Sequence, residues 1–134
     1  MNGDDSVIVR WLAAGDAGDF HVFDALLHPD VVVHAPGGLS TTNREQEKTV
    51  WREALAAISG LHHAVQEVIV EGGVEMARVV VSGRIVKDFG GVAGTGSAFA
   101  MDQAVIVHLR DGKVAEAWEI ADVGAIRDRA SGPD

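Results

Sequence analysis

Between His62 and Asp122 the chain passes through four long stretches rich in valine and isoleucine: 62–71, 74–87, 96–109 and 113–122. They are separated by Gly72-Gly73, by a glycine-rich connection and by Arg110-Asp111-Gly112-Lys113. β-Branched runs punctuated by glycine read as strands, and four in succession on short links predict an antiparallel meander. The first part of the chain has a different period. Val7, Ile8, Trp11 and Leu12 recur at helical spacing until Gly15, and Phe20, Phe23, Leu26 and Leu27 share one face of a second helix over 19–27. A short β-branched run, 31–34, ends at Ala35-Pro36-Gly37-Gly38 and reads as a strand entering a turn. Thr42 with Glu45 three residues on is a capping-box pattern, and Val50, Trp51, Leu55 and Ile58 continue that third helix to Gly60. Helices first and strands last predict an α+β fold, a strongly curved antiparallel sheet whose concave face the helices cover. Residues 1–130 are expected to form a single domain, with a last helical turn at 125–130 and a disordered tail at 131–134.

At 134 residues the chain can bury a core without disulfides, and it has no cysteine. Thiol nucleophiles, iron–sulfur clusters and zinc fingers are thereby excluded. Eleven basic against twenty acidic residues give a net charge of −9, which repels phosphate backbones and anionic lipids and argues against nucleic-acid and membrane partners. The N-terminal MNGDDSVIVR carries acids where a signal peptide carries bases, and no apolar run reaches the ~18 residues of a membrane span. The expectation is a soluble, cytoplasmic protein.

The hairpin at 110–113 decides which residues share a face with Glu119. A two-residue Asp-Gly turn carried through unbroken would pair Ala104 with Glu119 and set Asp102 opposite Ala121. A three-residue Arg-Asp-Gly loop would pair Leu109 with Lys113 and Gln103 with Glu119. The second register has the cleaner pattern and is preferred. It gathers Phe99, Met101, Gln103, Val105, Val107 and Leu109 with Ala115, Ala117, Glu119 and Ala121 on one nearly apolar face. Gln103 and Glu119 are then its polar exceptions. A carboxyl there is costly unless paired or used, and desolvation would raise its pKa into the range of a general acid or base at neutral pH. The competing reading is a Glu119 that reaches water or pairs with Arg78 or Arg84.

His34, at the end of its strand, is a candidate proton shuttle or oxygen ligand, or else a satisfied core histidine. Adjacent His62 and His63 point to opposite faces of a strand and cannot jointly bind a metal; no metal site or cofactor is expected. Trp11, Phe23, Trp51, Leu55, Phe99, Met101, Val105 and Ala117 are the expected walls of a pocket for an apolar small molecule, with core packing as the alternative role for the helical aromatics. The glycine-rich connection lacks the Gly-Lys-Ser/Thr of a phosphate loop, and Ser40, Ser59 and Ser97 have no nucleophile-elbow context.

LLHPDVVVHAPGG, VIVEGGVEMARVVVSG, FGGVAGTG and HLRDGKVAEAWEIAD, in this order and spacing, resemble the SnoaL-like polyketide cyclases of the NTF2-like (cystatin-like cone) superfamily. The resemblance implies a cone of helices over a curved sheet, often a homodimer through the sheet, around a mostly apolar cavity for a polycyclic or terpenoid-like ligand. It also implies a cofactor-independent enzyme. In such cyclases the tryptophan of the last strand precedes an aspartate that serves as general acid/base in an aldol ring closure. Here Trp118 precedes Glu119, which keeps the carboxyl and moves it one methylene deeper. Two positions depart from the pattern: Arg84-Ile85 stands where a Thr-His pair is common, and Val105 where a polar partner for the acid is frequent. The expected function is acid/base chemistry (aldol cyclisation, isomerisation or dehydration) by Glu119, with Gln103 or His34 polarising a carbonyl. The alternative is a non-catalytic binding or assembly domain.

Overall fold

The computed structural model describes residues 6–124. Helix α1 (Val7–Ala17) leads through a 3-10 turn (Phe20–Val22) and one turn of helix, α2 (Phe23–Leu26), into strand β1 (Leu27–His34). Helix α3 (Arg44–Ala57) is followed by β2 (Ile58–Glu71), β3 (Val74–Ile85), β4 (Ala98–Arg110) and β5 (Lys113–Ala121). The last four strands form the expected antiparallel meander. β1 joins it in parallel beside β5, so the sheet order is β1-β5-β4-β3-β2. The final helical turn and tail expected at 125–134 lie outside the described residues. Among those described, no helix is long and apolar enough to cross a membrane.

Several boundaries differ from the sequence expectation, each for a local reason. The first helix does not end at Gly15 but runs to Ala17, where Gly18 in the left-handed region (φ 74°) caps it. Gly15 serves packing instead: a Cβ there would stand 2.5 Å from the Trp51 ring, so its absence lets α1 lie directly on α3. The second helix is split into a 3-10 turn and a single α-helical turn that stops at Leu26, because the chain must extend at Leu27 to pair with Val114 of β5. The cap of α3 is Asn43 rather than Thr42. Its side chain accepts from the Gln46 backbone N–H (2.8 Å), and the Gln46 carboxamide oxygen accepts from the Thr42 N–H (2.8 Å), the reciprocal pattern displaced by one residue.

The β4–β5 hairpin combines features of both candidate registers. Arg110 pairs with Lys113 across a two-residue turn in which Asp111 (φ 54°) and Gly112 (φ 78°) both have positive φ, the geometry that suits a tight hairpin. The register then slips by one. Leu109 faces Val114 but His108 faces Glu116, which leaves Ala115 as the extra residue of a bulge. Glu119 therefore opposes Val105, and Gln103 opposes Ala121, not Glu119. A bulge restores the parity that a three-residue loop would have given, so the expected faces are correct although the expected turn is not.

The concave face of this sheet and the helices enclose one continuous core. Trp11 and Ile8 from α1, Phe23 and Leu26 from α2, and Val79, Val105, Val107, Val114 and Ala117 from the sheet are fully or almost fully buried. α1 is tied to the sheet by Glu75 of β3. That buried carboxylate accepts from the backbone N–H groups of Val7 (3.2 Å) and Ile8 (3.0 Å), which the first turn leaves without helical partners. This junction fixes where the far end of α1, and hence Asp16, meets β2.

Candidate functional site

The helices do not fill the cone. A cavity of ≈ 130 Å³ remains, and ≈ 920 Å³ is reached when the open space at its mouth is counted. Its lining includes the loop after β1, through Ala35, Pro36 and Leu39, and the β3–β4 connection, through Phe89, Gly90 and Val92. These loops meet closely, since a Cβ on Gly37 would lie 2.3 Å from the Gly90 carbonyl oxygen. Glu47, His63, Gln103 and Glu119 are the carboxyl, imidazole and amide side chains in the otherwise largely apolar lining.

Glu119 stands on β5 among residues that face the concave side. It forms no hydrogen bond or ion pair with the described residues; Arg78 is engaged by Glu67 (2.9 Å) and Arg84 by the Gly96 carbonyl (2.6 Å). Burial pushes its carboxyl from the ordinary 4.5 to about 8, with a smaller contribution from the nearby negative charge of Glu47. Asp102, the competing acid of the alternative register, is exposed on the opposite face.

Glu47 was not foreseen from the sequence. It is 2% exposed on α3, where it accepts from the Thr41 hydroxyl (2.9 Å) and the Trp51 indole N–H (3.1 Å). Burial raises its carboxyl too, against the lowering effect of those two bonds. The two acids share a cavity but differ in support. Donors that stabilise the carboxylate surround Glu47 and not Glu119, and it is burial, with a smaller push from the charge of Glu47, that raises the Glu119 carboxyl. Glu119 is thus a neutral acid near pH 7. In sequence, Glu47 sits among the charges of Arg44-Glu45-Gln46-Glu47-Lys48 and looks like part of a solvated helix face. Its spacing of four from Trp51 was the available signal.

Gln103 lines the cavity with its Oε1 shut off from solvent and without a hydrogen-bond donor. His34 is a correction. It lies on the other side of the sheet, half exposed, with Nε2 2.7 Å from a Glu116 carboxylate oxygen and its ring stacked on Trp118 at 5.4 Å, and it does not reach the cavity. Of the expected pocket walls, Trp51, Phe99 and Met101 line the cavity. Trp11, Phe23, Val105 and Ala117 are core beneath it, and Leu55 packs partly buried beside the core. Those large apolar residues obey the right periodicity, but depth along the cone separates lining from filling. His63 was also missed, and it lines the cavity from β2 opposite Val81.

The fold finds close counterparts. TsrD from Streptomyces laurentii superposes with a TM-score of 0.84 at 25% identity, covering 93% of this chain and 92% of that one. IdmH from Streptomyces antibioticus, described as a candidate polyketide cyclase, superposes at 0.82 with 26% identity, covering 98% of this chain and 100% of its own. A Catenulispora acidiphila protein with a ketosteroid isomerase-like fold gives 0.81 at 18% identity over 96% of this chain and 95% of that one, a likeness of fold. No curated protein matches the chain. The sequence model of the SnoaL-like polyketide cyclases matches residues 6–128, nearly the whole length, and the chain belongs to that family.

Proposed function

We propose that the protein is a small cofactor-independent enzyme that performs acid/base chemistry on an apolar, oxygenated small molecule, by aldol cyclisation, isomerisation or dehydration. The observation that carries this reading is Glu119, an unpaired carboxyl in an apolar cavity whose environment keeps it protonated near neutral pH. A neutral acid in an apolar site can donate a hydrogen bond to a ketone oxygen and stabilise the enol or enolate that forms when a neighbouring C–H is lost. Gln103 lies diagonally across the strand pair from Glu119, and its amide supports the same oxygen or a neighbouring hydroxyl. A non-catalytic binding or assembly role fits a salt-bridged Glu119, and both arginines that could provide the bridge are engaged elsewhere.

The cavity volume bears on substrate size. An apolar cavity of ~150 Å³ accepts one benzene ring, so ≈ 130 Å³ suits one ring held at Glu119, with any further rings extending into the mouth. A homodimer through the outer sheet face is part of the same proposal. There Ile69, Met76, Ile106 and Trp118 are successive cross-strand partners from β2 to β5, and Ile69 and Met76 are exposed.

The test is exchange of the α-protons of cyclohexanone in D2O, followed by NMR. The wild-type protein is expected to accelerate exchange above the buffer rate, and Glu119→Gln is expected to abolish that acceleration while keeping the fold. Acceleration that survives in Glu119→Gln, or none with the wild type, removes the proposal.

A further inference from the structure

The cavity wall carries an imidazole in addition to the carboxyls of Glu47 and Glu119. His63 projects from β2, with its ring largely buried and packed against Trp51 at 5.1 Å between centroids. Asp16, near the end of α1, grips it twice: one carboxylate oxygen accepts from the His63 backbone N–H (2.7 Å) and the other lies 2.6 Å from ring Nδ1. The neighbouring His62 is largely exposed and stands 3.7 Å from Asp16, beyond hydrogen-bond range. A carboxylate can only accept, so Nδ1 carries the proton and donates it to Asp16, and in the neutral ring the lone pair is then on Nε2. Nε2 makes no hydrogen bond to the described residues.

His63 has a particular position in the wall. Together with Leu12 and Leu61 it lines both the cavity and a separate surface groove that Asp16 and His62 also line. An imidazole placed there can meet a ligand on one side and exchange its proton with water on the other. Asp16 in turn is set by α1, whose start is held by Glu75. These are the parts of an oriented base: a ring nitrogen facing available space, its tautomer fixed by a carboxylate, and its backbone fixed by that same carboxylate.

We propose that His63, oriented by Asp16, is the base that works opposite Glu119, a step that rests on the acid/base reading above. The bond from hydrogen to the carbon beside the ketone breaks, and its proton passes to Nε2. The freed electron pair forms the C=C bond of an enol while Glu119 delivers its proton to the ketone oxygen. In a ring closure the enol carbon attacks a second carbonyl, the imidazolium proton passes to the new alkoxide, and the enol O–H returns its proton to Glu119. No co-reactant is consumed. The ligand class is accordingly an apolar molecule of at least one ring with an enolisable ketone.

Phenol, a one-ring enol mimic, tests this without turnover when titrated into protein labelled with 15N-histidine and 13C-glutamate. The expected result is a His63 protonated at Nδ1, with an Nε2 resonance that moves on phenol binding together with the Glu119 carboxyl. Asp16→Asn is expected to reverse the tautomer and abolish the Nε2 response while Glu119 still responds. In the cyclohexanone assay, His63→Gln is expected to slow exchange by about 10²-fold or more while Glu119 still responds to phenol. An Nε2–H tautomer in the wild type, or an Nε2 unmoved by saturating phenol while Glu119 moves, overturns the role of His63 and leaves that of Glu119 standing. If neither group moves, the acid/base reading itself fails.

Discussion

Replacing Glu119 with Gln is expected to make the protein more stable at neutral pH, and the size of the effect follows from the cavity. The folded-state carboxyl is raised from 4.5 to about 8. Below pH 4.5 the carboxyl is protonated in both folded and unfolded chains, and stability is at its full value. Between 4.5 and 8 the unfolded chain ionises while the folded one does not, so stability falls by about 1.4 kcal/mol for each pH unit; above 8 it levels off. At pH 7 this amounts to about 3 kcal/mol, and to about 2 if water in the cavity screens part of the burial. The amide introduced by Glu119→Gln does not titrate and avoids this loss. Urea unfolding of wild type and Glu119→Gln, followed by tryptophan fluorescence, should give similar stabilities at pH 4.5 and a gap of about 2–3 kcal/mol favouring the variant at pH 7. The gap corresponds to roughly 10 °C in Tm for a domain of this size. Other titrating groups are common to both proteins and cancel in the difference. A gap of the same size at both pH values, or none at either, would refute the argument that burial keeps Glu119 protonated.

Two further outcomes follow from the packing. Gly15→Ala should cost about 1–3 kcal/mol through overpacking, because its Cβ would meet the Trp51 ring at 2.5 Å; thermal unfolding checks the loss, and an unchanged Tm would show that α1 and α3 separate freely. Met76→Glu, in the middle of the outer apolar row, should convert a dimer to a monomer in sedimentation at micromolar concentration, and a wild type that already sediments as a monomer would remove the dimer from the proposal.

Much of this molecule was legible in its sequence, and the reasons are local. Period-two runs of valine and isoleucine separated by glycine define four strands whatever surrounds them, and periodic apolar residues define α1 and α3. Alternation also placed Glu119 and Gln103 on the apolar face, because a strand can bury one parity and a bulge that restores that parity leaves the faces unchanged. Which turn the hairpin used was invisible to parity. The remaining decisions were made by distant residues meeting in space. Glu47 looks like one more surface charge until Thr41 and Trp51 close over it. His63 resembles any strand histidine until Asp16, 47 positions earlier, reaches its Nδ1. His34 has the sequence context of a pocket residue, yet the parallel pairing of β1 with β5 sets it beside Trp118 on the outer face. Burial and pKa depend on everything within a few ångströms, and sequence spacing reports those neighbours along one element at a time. The fold therefore follows from patterns within elements, whereas the burial of Glu119 and Glu47 and the contact of Asp16 with His63 exist once α1, α3 and the curved sheet have closed around the cavity.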